Sequence, residues 1–323
     1  MAEWTLERFT GVPGEWDAFV ESSNNGTLFH RLGYLAYHGD RFAASAHHLA
    51  WRAGDELRAV LPLGIFTEGA LSVARSPFGA SYGGIVVRND LSLVEAERLV
   101  ASLREYLASR GIDRLVVTPA PPMNHVHPQN YVDFWLLKAG ATIPRSELTS
   151  YIETAAEPLE RFRYSAVKAV RKARANEVGV EQSDWVDEFY EILAANRRKF
   201  GAEPTHSQAE ISWLLERFPE QVRLFMAYLD RKPIAGSLVF RVNARVLLDF
   251  YWAHLDEYQG LRPVSLLVHE IARWAHAEGF RYFDFGTQTI EMTPVEGGTR
   301  FKETFGALGV FRHTYELKLR GDV

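Results

Sequence analysis

Two helix–glycine–strand units in the same order set the main constraint on how this chain can fold. In the first, Ser92 to Arg110 has helical spacing, with Leu93, Ala96, Leu99, Val100, Leu103 and Leu107 in one apolar stripe. Gly111 supplies a residue that tolerates the left-handed conformation at a helix end, and Ile112 to Val117 follows as a buried strand. In the second, Pro263 suits the first helical position, and Val264, Leu267, Val268, Ile271, Trp274 and Ala275 recur by threes and fours. Gly279 ends that helix and Phe280 to Phe285 is the strand. Antiparallel-looking strands precede both units: Leu57 to Phe66 in the first copy, Pro233 to Val242 and Arg245 to Ala253 in the second. The order of elements, more than residue identity, predicts an internal duplication.

A chain of 323 residues exceeds what one core usually organises, which fits two such copies. Pro119 to Met123 directly follows a strand and reads as a loop beside a site. The domain boundary is expected near Arg145, giving domains 1–145 and 146–323, with the strand Leu148 to Glu153 opening the second. The absence of cysteine excludes disulfides, thiolate metal sites and a cysteine nucleophile. No stretch resembles a signal peptide or a membrane span, so the expected location is cytoplasmic, without membrane insertion. A net charge of -5 argues against a surface made wholly for nucleic acid.

Several segments carry chemistry. Between Arg161 and Asn176 six basic residues and no acidic one lie on an amphipathic helix, and Lys168, Arg171 and Lys172 are candidates for holding an anionic carrier. The same pattern also describes a solvated helix face. Gln259, Gly260 and Arg262 precede the Pro263 helix, where free N–H groups attract anions, although Pro263 itself lacks one. Strand alternation from Arg245 to Trp252 places Asp249 and Tyr251 on one face as a possible acceptor-holding and proton-removing pair. In Gly297 to Gly306, Phe301 and Phe305 share a helix face while Arg300 and Lys302 point elsewhere; a cation there suits the oxyanion of an acyl transfer. Gly79-Ala80-Ser81-Tyr82-Gly83 fits the G-x-S-x-G spacing but leads into a strand, not a helix, so no hydrolase is expected. The histidines lack metal-ligand spacing, and no metal is expected.

Taken in order, Pro233 to Phe240, Leu261-Arg262-Pro263, Phe283 to Gly286 and Arg300 to Gly306 resemble the FemAB-like branch of the GNAT acyltransferase superfamily. Leu61-Pro62-Leu63 and Ser81 to Gly84 are similar to that branch's first domain. The resemblance implies an α/β fold of the α+β type: two GNAT-like domains, each a mixed, largely antiparallel sheet flanked by helices. It implies an N-acyltransferase joining an activated acyl or aminoacyl group to an amine, with Lys302, Asp249 and Tyr251 as catalytic candidates; the alternative is a non-catalytic binding protein on the same fold. Arg300, Phe301, Asp284, Gln288, Tyr82 and Ser81 would then contact substrate, in the second domain or between the two. No cofactor is required beyond the donor, which is aminoacyl-tRNA or acyl-coenzyme A. The acceptor is an amine-bearing small molecule or a cell-wall precursor. Two departures stand out: the coiled-coil arm of the peptidoglycan enzymes is absent, and the Gln259 to Pro263 turn has one glycine and a proline where a pyrophosphate loop has donors.

Overall fold

The computed structural model describes residues 4–199 and 201–320. The chain divides into two compact units, Met1–Glu147 with Phe311–Val323, and Leu148–Val310. The contiguous division at Arg145 therefore differs at its far end, where the C-terminal strand returns to the first unit.

The first unit begins with β1 (Trp4–Arg8), α1 (Pro13–Ser22), α2 (Leu32–Leu35), β2 (Leu49–Ala53), β3 (Glu56–Leu61), β4 (Gly64–Glu68), β5 (Leu71–Ser76) and β6 (Val86–Val87). It continues with α3 (Leu93–Ser109), β7 (Arg114–Val117), α4 (Tyr131–Lys138) and the start of β8 (Thr142–Glu153). The run expected as one strand from Leu57 to Phe66 is two. Pro62 has no N–H to extend a ladder, so β3 pairs with β2 and β6, and β4 pairs with β5 in another sheet. Helix α3 starts at Ser92, whose side chain accepts from the Glu95 N–H while Glu95 returns to the Ser92 N–H. Its stripe Ala96, Leu99, Val100, Leu103 and Leu107 is buried. Leu93, expected in that stripe, is exposed because it sits in the first turn, beyond the edge of the core.

The second unit holds the rest of β8, then α5 (Tyr164–Ala175), β9 (Gly179–Gln182), α6 (Val186–Arg198), α7 (Gln208–Arg217), β10 (Val222–Leu229), β11 (Lys232–Arg241) and β12 (Val246–His254). After these come α8 (Pro263–Ala277), β13 (Tyr282–Thr287), the hairpin of β14 (Thr289–Ile290) and β15 (Thr293–Pro294), and α9 (Glu296–Thr304). The sheet order within this unit is β8-β13-β12-β11-β10-β9, antiparallel throughout except for the parallel pair β12 and β13. Helix α8 is the crossover that joins this parallel pair. It buries Leu266, Leu267, Ile271, Ala272 and Ala275 against the sheet. The last strand, β16 (Leu308–Lys318), pairs with β7 in the first unit from Tyr315 to Lys318. Among the described residues no helix is long and apolar enough to cross a membrane.

Gly236 on β11 marks a close approach. A Cβ built there would lie 2.6 Å from Met226 Sδ and 2.6 Å from Phe189 Cδ2, where α6 lies on the strand. Gly236→Ala is expected to destabilise the protein by about 1–3 kcal/mol through overpacking, read as a lower urea midpoint at unchanged slope.

Candidate active site

The parallel ladder of β12 and β13 runs from Val246 opposite Tyr282 to Leu248 opposite Asp284 and stops there, although both strands continue. The reason lies in β12. Its register against β11 shifts so that Tyr251 faces Leu238 while Asp249 faces Val239, which leaves Phe250 as an extra residue. Such a bulge bends the strand and re-aims the side chains on either side of it.

Simple alternation put Asp249 and Tyr251 on one face, and the bulge separates them. Ser237 pairs with Trp252, and its Oγ donates to Asp249 Oδ1 at 2.7 Å, so Asp249 shares a face with Trp252. Tyr251 turns the other way, where its hydroxyl accepts from the His206 N–H at 3.2 Å and lies 3.0 Å from His206 Nδ1. Tyr251 therefore pins the segment entering α7 and is not a partner of Asp249.

Lys302 of α9 enters the opening between the strands. It is 5% exposed, and its ammonium donates to the carbonyls of Gly286 at 3.1 Å and Thr287 at 2.8 Å. Asp284 is fully buried, and its Oδ1 accepts from Thr149 Oγ1 and from the Gly286 N–H, each at 2.8 Å. This carboxylate thus braces the turn whose carbonyls receive Lys302. Gly306 follows α9 with φ +81° and leaves the Arg161 carbonyl 2.9 Å from where a Cβ would stand, a conformation and clearance that suit glycine.

Burial pushes the Asp249 carboxyl up to about 7, against the opposing effects of the Ser237 hydrogen bond and the Lys302 charge. Its Oδ2 is buried and has no hydrogen-bond partner among the described residues. Burial draws Lys302 down to about 8, opposed by Asp284 and Asp249. Near neutrality the ammonium is thus mostly charged, and Asp249 is poised between its two protonation states. Two opposed titratable groups shifted toward neutrality in one buried cluster are a mark of reactive sites.

A cavity of about 300 Å³ adjoins the cluster through Trp252 and Phe301, which are among its walls. Their rings meet edge to face at 4.9 Å, and Lys302 Nζ is 6.0 Å from the Trp252 centroid. Pro263, Val264 and Ser265 at the start of α8 contribute further lining, and Gln259 and Arg262 stand at its turn. Arg262 occupies the left-handed region at φ +65°, and its carbonyl already receives the N–H groups of Ser265 and Leu266. Since Pro263 has no N–H, the helix start offers little of an anion cradle.

The remaining candidates separate. Arg300 projects away from Lys302, its side chain 81% exposed and 3.6 Å from Glu296. Phe301 packs on Phe305 at 4.9 Å, as their spacing suggests. Gln288 holds the β14–β15 hairpin through its backbone, its N–H going to the Leu148 carbonyl and its carbonyl receiving the Val295 N–H. Gly260 lies in the exposed turn before Arg262. Lys168, Arg171 and Lys172 are exposed on α5, opposite the buried Ala166, Val170 and Ala173. Ser81 and Tyr82 belong to the first unit, where Arg312 donates to the Ser81 carbonyl and stands 5.2 Å from the Tyr82 ring. Ser237, Trp252 and His254, the last of which also lines the cavity, were not singled out by sequence. A serine in the apolar run Ile234 to Phe240 was the available sign for the first. Among the described residues no three ligating side chains cluster as a metal site.

Residues 152–303 match the model of the acetyltransferase (GNAT) domain. The matched stretch falls within the second unit, whose fold is that of a GNAT domain. Over nearly its whole length the chain is similar in fold to the crystal structure of FemX, on which it superposes with a TM-score of 0.75 at 14% identity, covering 97% of each chain. The C-terminal domain of a putative lysylphosphatidylglycerol synthetase from Agrobacterium fabrum superposes with a TM-score of 0.60 at 13% identity, over 96% of this chain and 92% of that one. A tandem GNAT protein from the clavulanic acid biosynthesis pathway gives 0.54 at 13% identity, over 99% and 100%. At these identities the likeness is one of fold. No curated protein matches the sequence.

Proposed function

We propose that the protein is an N-acyltransferase in which Asp249 takes the proton of an amine that attacks an activated acyl carbonyl. The observation that carries this reading is the buried carboxyl at the bulge, held near pH 7 with one oxygen free, beside an ammonium. A base with that pKa works close to its best at neutral pH. Lys302 spends two of its three N–H donors on carbonyls, and the third is available to the oxygen that becomes an oxyanion as the amine attacks. Collapse of the tetrahedral species forms the amide, expels the carrier's oxygen or sulfur, and leaves the amine proton on Asp249. No metal is needed for these steps.

The proposed donor is aminoacyl-tRNA. The FemX-like fold and the exposed Lys168, Arg171 and Lys172 of α5 support it, since clustered cations hold a phosphate backbone. The acceptor class follows the same likeness: a cell-wall precursor or another amine-bearing small molecule. Incubating charged tRNA with such amines and weighing the products tests the reading; absence of transfer across a broad panel counts against it. The cavity beside Gln259 and Arg262 favours acyl-coenzyme A as a second donor, and a rise in melting temperature with acyl-coenzyme A but not with charged tRNA decides for it.

Ser237 tunes the base. Its hydrogen bond lowers the Asp249 pKa, so Ser237→Ala is expected to move the acidic limb of the pH–rate profile to higher pH while the plateau rate changes little.

A further inference from the structure

We propose that the cavity walled by Trp252, Phe301, Pro263 and Val264 receives the apolar side chain of the transferred group, so that the donor carries a branched or aromatic acyl or aminoacyl moiety. This inference rests on the acyl-transfer reading above and specifies its substrate.

Size comes first. About 300 Å³ is the space of roughly ten waters at ~30 Å³ each, far more than an acetyl or alanyl methyl group fills. Chemistry comes second. Trp252, Phe301, Pro263 and Val264 give the cavity a mainly apolar lining, while Asn196, His254, Gln259, Arg262 and Ser265 supply its polar part, an arrangement that suits an apolar group attached to a polar carrier. The helix start at its edge has Pro263 without an N–H and two N–H groups already bonded to the Arg262 carbonyl, so an anion gains little there. Position comes third. Trp252 is shared between the cavity and Lys302, whose Nζ is 6.0 Å from its ring, and Phe301 precedes Lys302 in the chain, so these two rings are the wall across which a group seated in the cavity meets the ammonium.

Gly298 gives access to a clean test. It lines the cavity within α9, and a Cβ there would meet no atom nearer than Val295 Cγ1 at 3.7 Å. Gly298→Leu therefore narrows the cavity while replacing a poor helix former by a good one. Two measurements are made on the wild type and this variant. The first is melting temperature with L-phenylalaninol, L-leucinol and L-alaninol, which reports cavity binding without any transfer. The second is a competition between phenylalanyl-, leucyl- and alanyl-tRNA for one amine.

In the wild type the two larger amino alcohols are expected to raise the melting temperature more than L-alaninol, and the larger donors to be preferred at least tenfold in kcat/KM. In Gly298→Leu the added stabilisation is expected to vanish and the preference to reverse. Equal shifts for all three amino alcohols, or an unchanged preference in a folded Gly298→Leu, overturn the assignment of the cavity. Selective stabilisation by L-phenylalaninol with no transfer from any donor leaves the cavity assignment standing and refutes the acyl-transfer reading instead.

Discussion

Asp249→Asn is expected to slow acyl transfer by about 10²–10⁴-fold, the usual worth of a positioned general base, while donor binding is retained. The asparagine keeps the shape of the side chain and its contact with Ser237 Oγ, but it has no carboxylate to receive the amine proton. The wild-type rate should rise with an apparent pKa of about 7, and that limb should disappear in the variant. Stability gives a second readout with a definite sign. The folded pKa of Asp249 lies above the ordinary 3.8, so the folded state holds this proton more tightly. Its contribution is fully present below about pH 4 and is lost as pH rises through about 7. Melting temperature measured between those limits should therefore fall less steeply with pH in Asp249→Asn. An unchanged slope together with an unchanged rate would exclude the carboxyl from the reaction.

Lys302→Met is expected to be the most destabilising single change in the second unit, at about 3–5 kcal/mol. It removes the cation from a buried cluster and leaves Asp249, Asp284 and the carbonyls of Gly286 and Thr287 without it. Since the Lys302 charge lowers the Asp249 pKa, any residual activity should show its acidic limb at higher pH. The double variant Lys302→Met, Asp249→Asn separates pairing from packing. If the two groups share charge, the double change should cost less than the sum of the single ones, and chemical denaturation would measure the difference. Additive costs would mean that Lys302 acts on the turn carbonyls alone.

The two helix–glycine–strand units were legible because helical periodicity, Pro263 at a helix start and glycines at helix ends are local signals that tertiary context seldom overrides. Leu93 shows the limit of that reading: its period is right, yet the first turn of α3 projects past the core. Pro62 divided a run that hydrophobicity alone joined, since a missing N–H matters only once the ladder partners are known. At the candidate site, the sequence singled out the segment Arg300 to Phe305, and the spacing of Phe301 and Phe305 placed both rings on the packed face. The assignment of Lys302 over Arg300 as the buried cation came from the depth of α9 against the sheet, which no local pattern encodes.

By itself, then, the sequence determined the class of fold, the order of its elements, the absence of cysteine chemistry and the neighbourhood of Asp249 and Lys302. Only the tertiary structure decided which side chains meet. A single extra residue at Phe250 turned Tyr251 to one side of the sheet and Asp249 to the other, ended the ladder at Leu248, and opened the gap that Lys302 fills. Alternation along a strand is a local rule, but a bulge is fixed by the register of the neighbouring strand, and that register exists only once both strands are folded together.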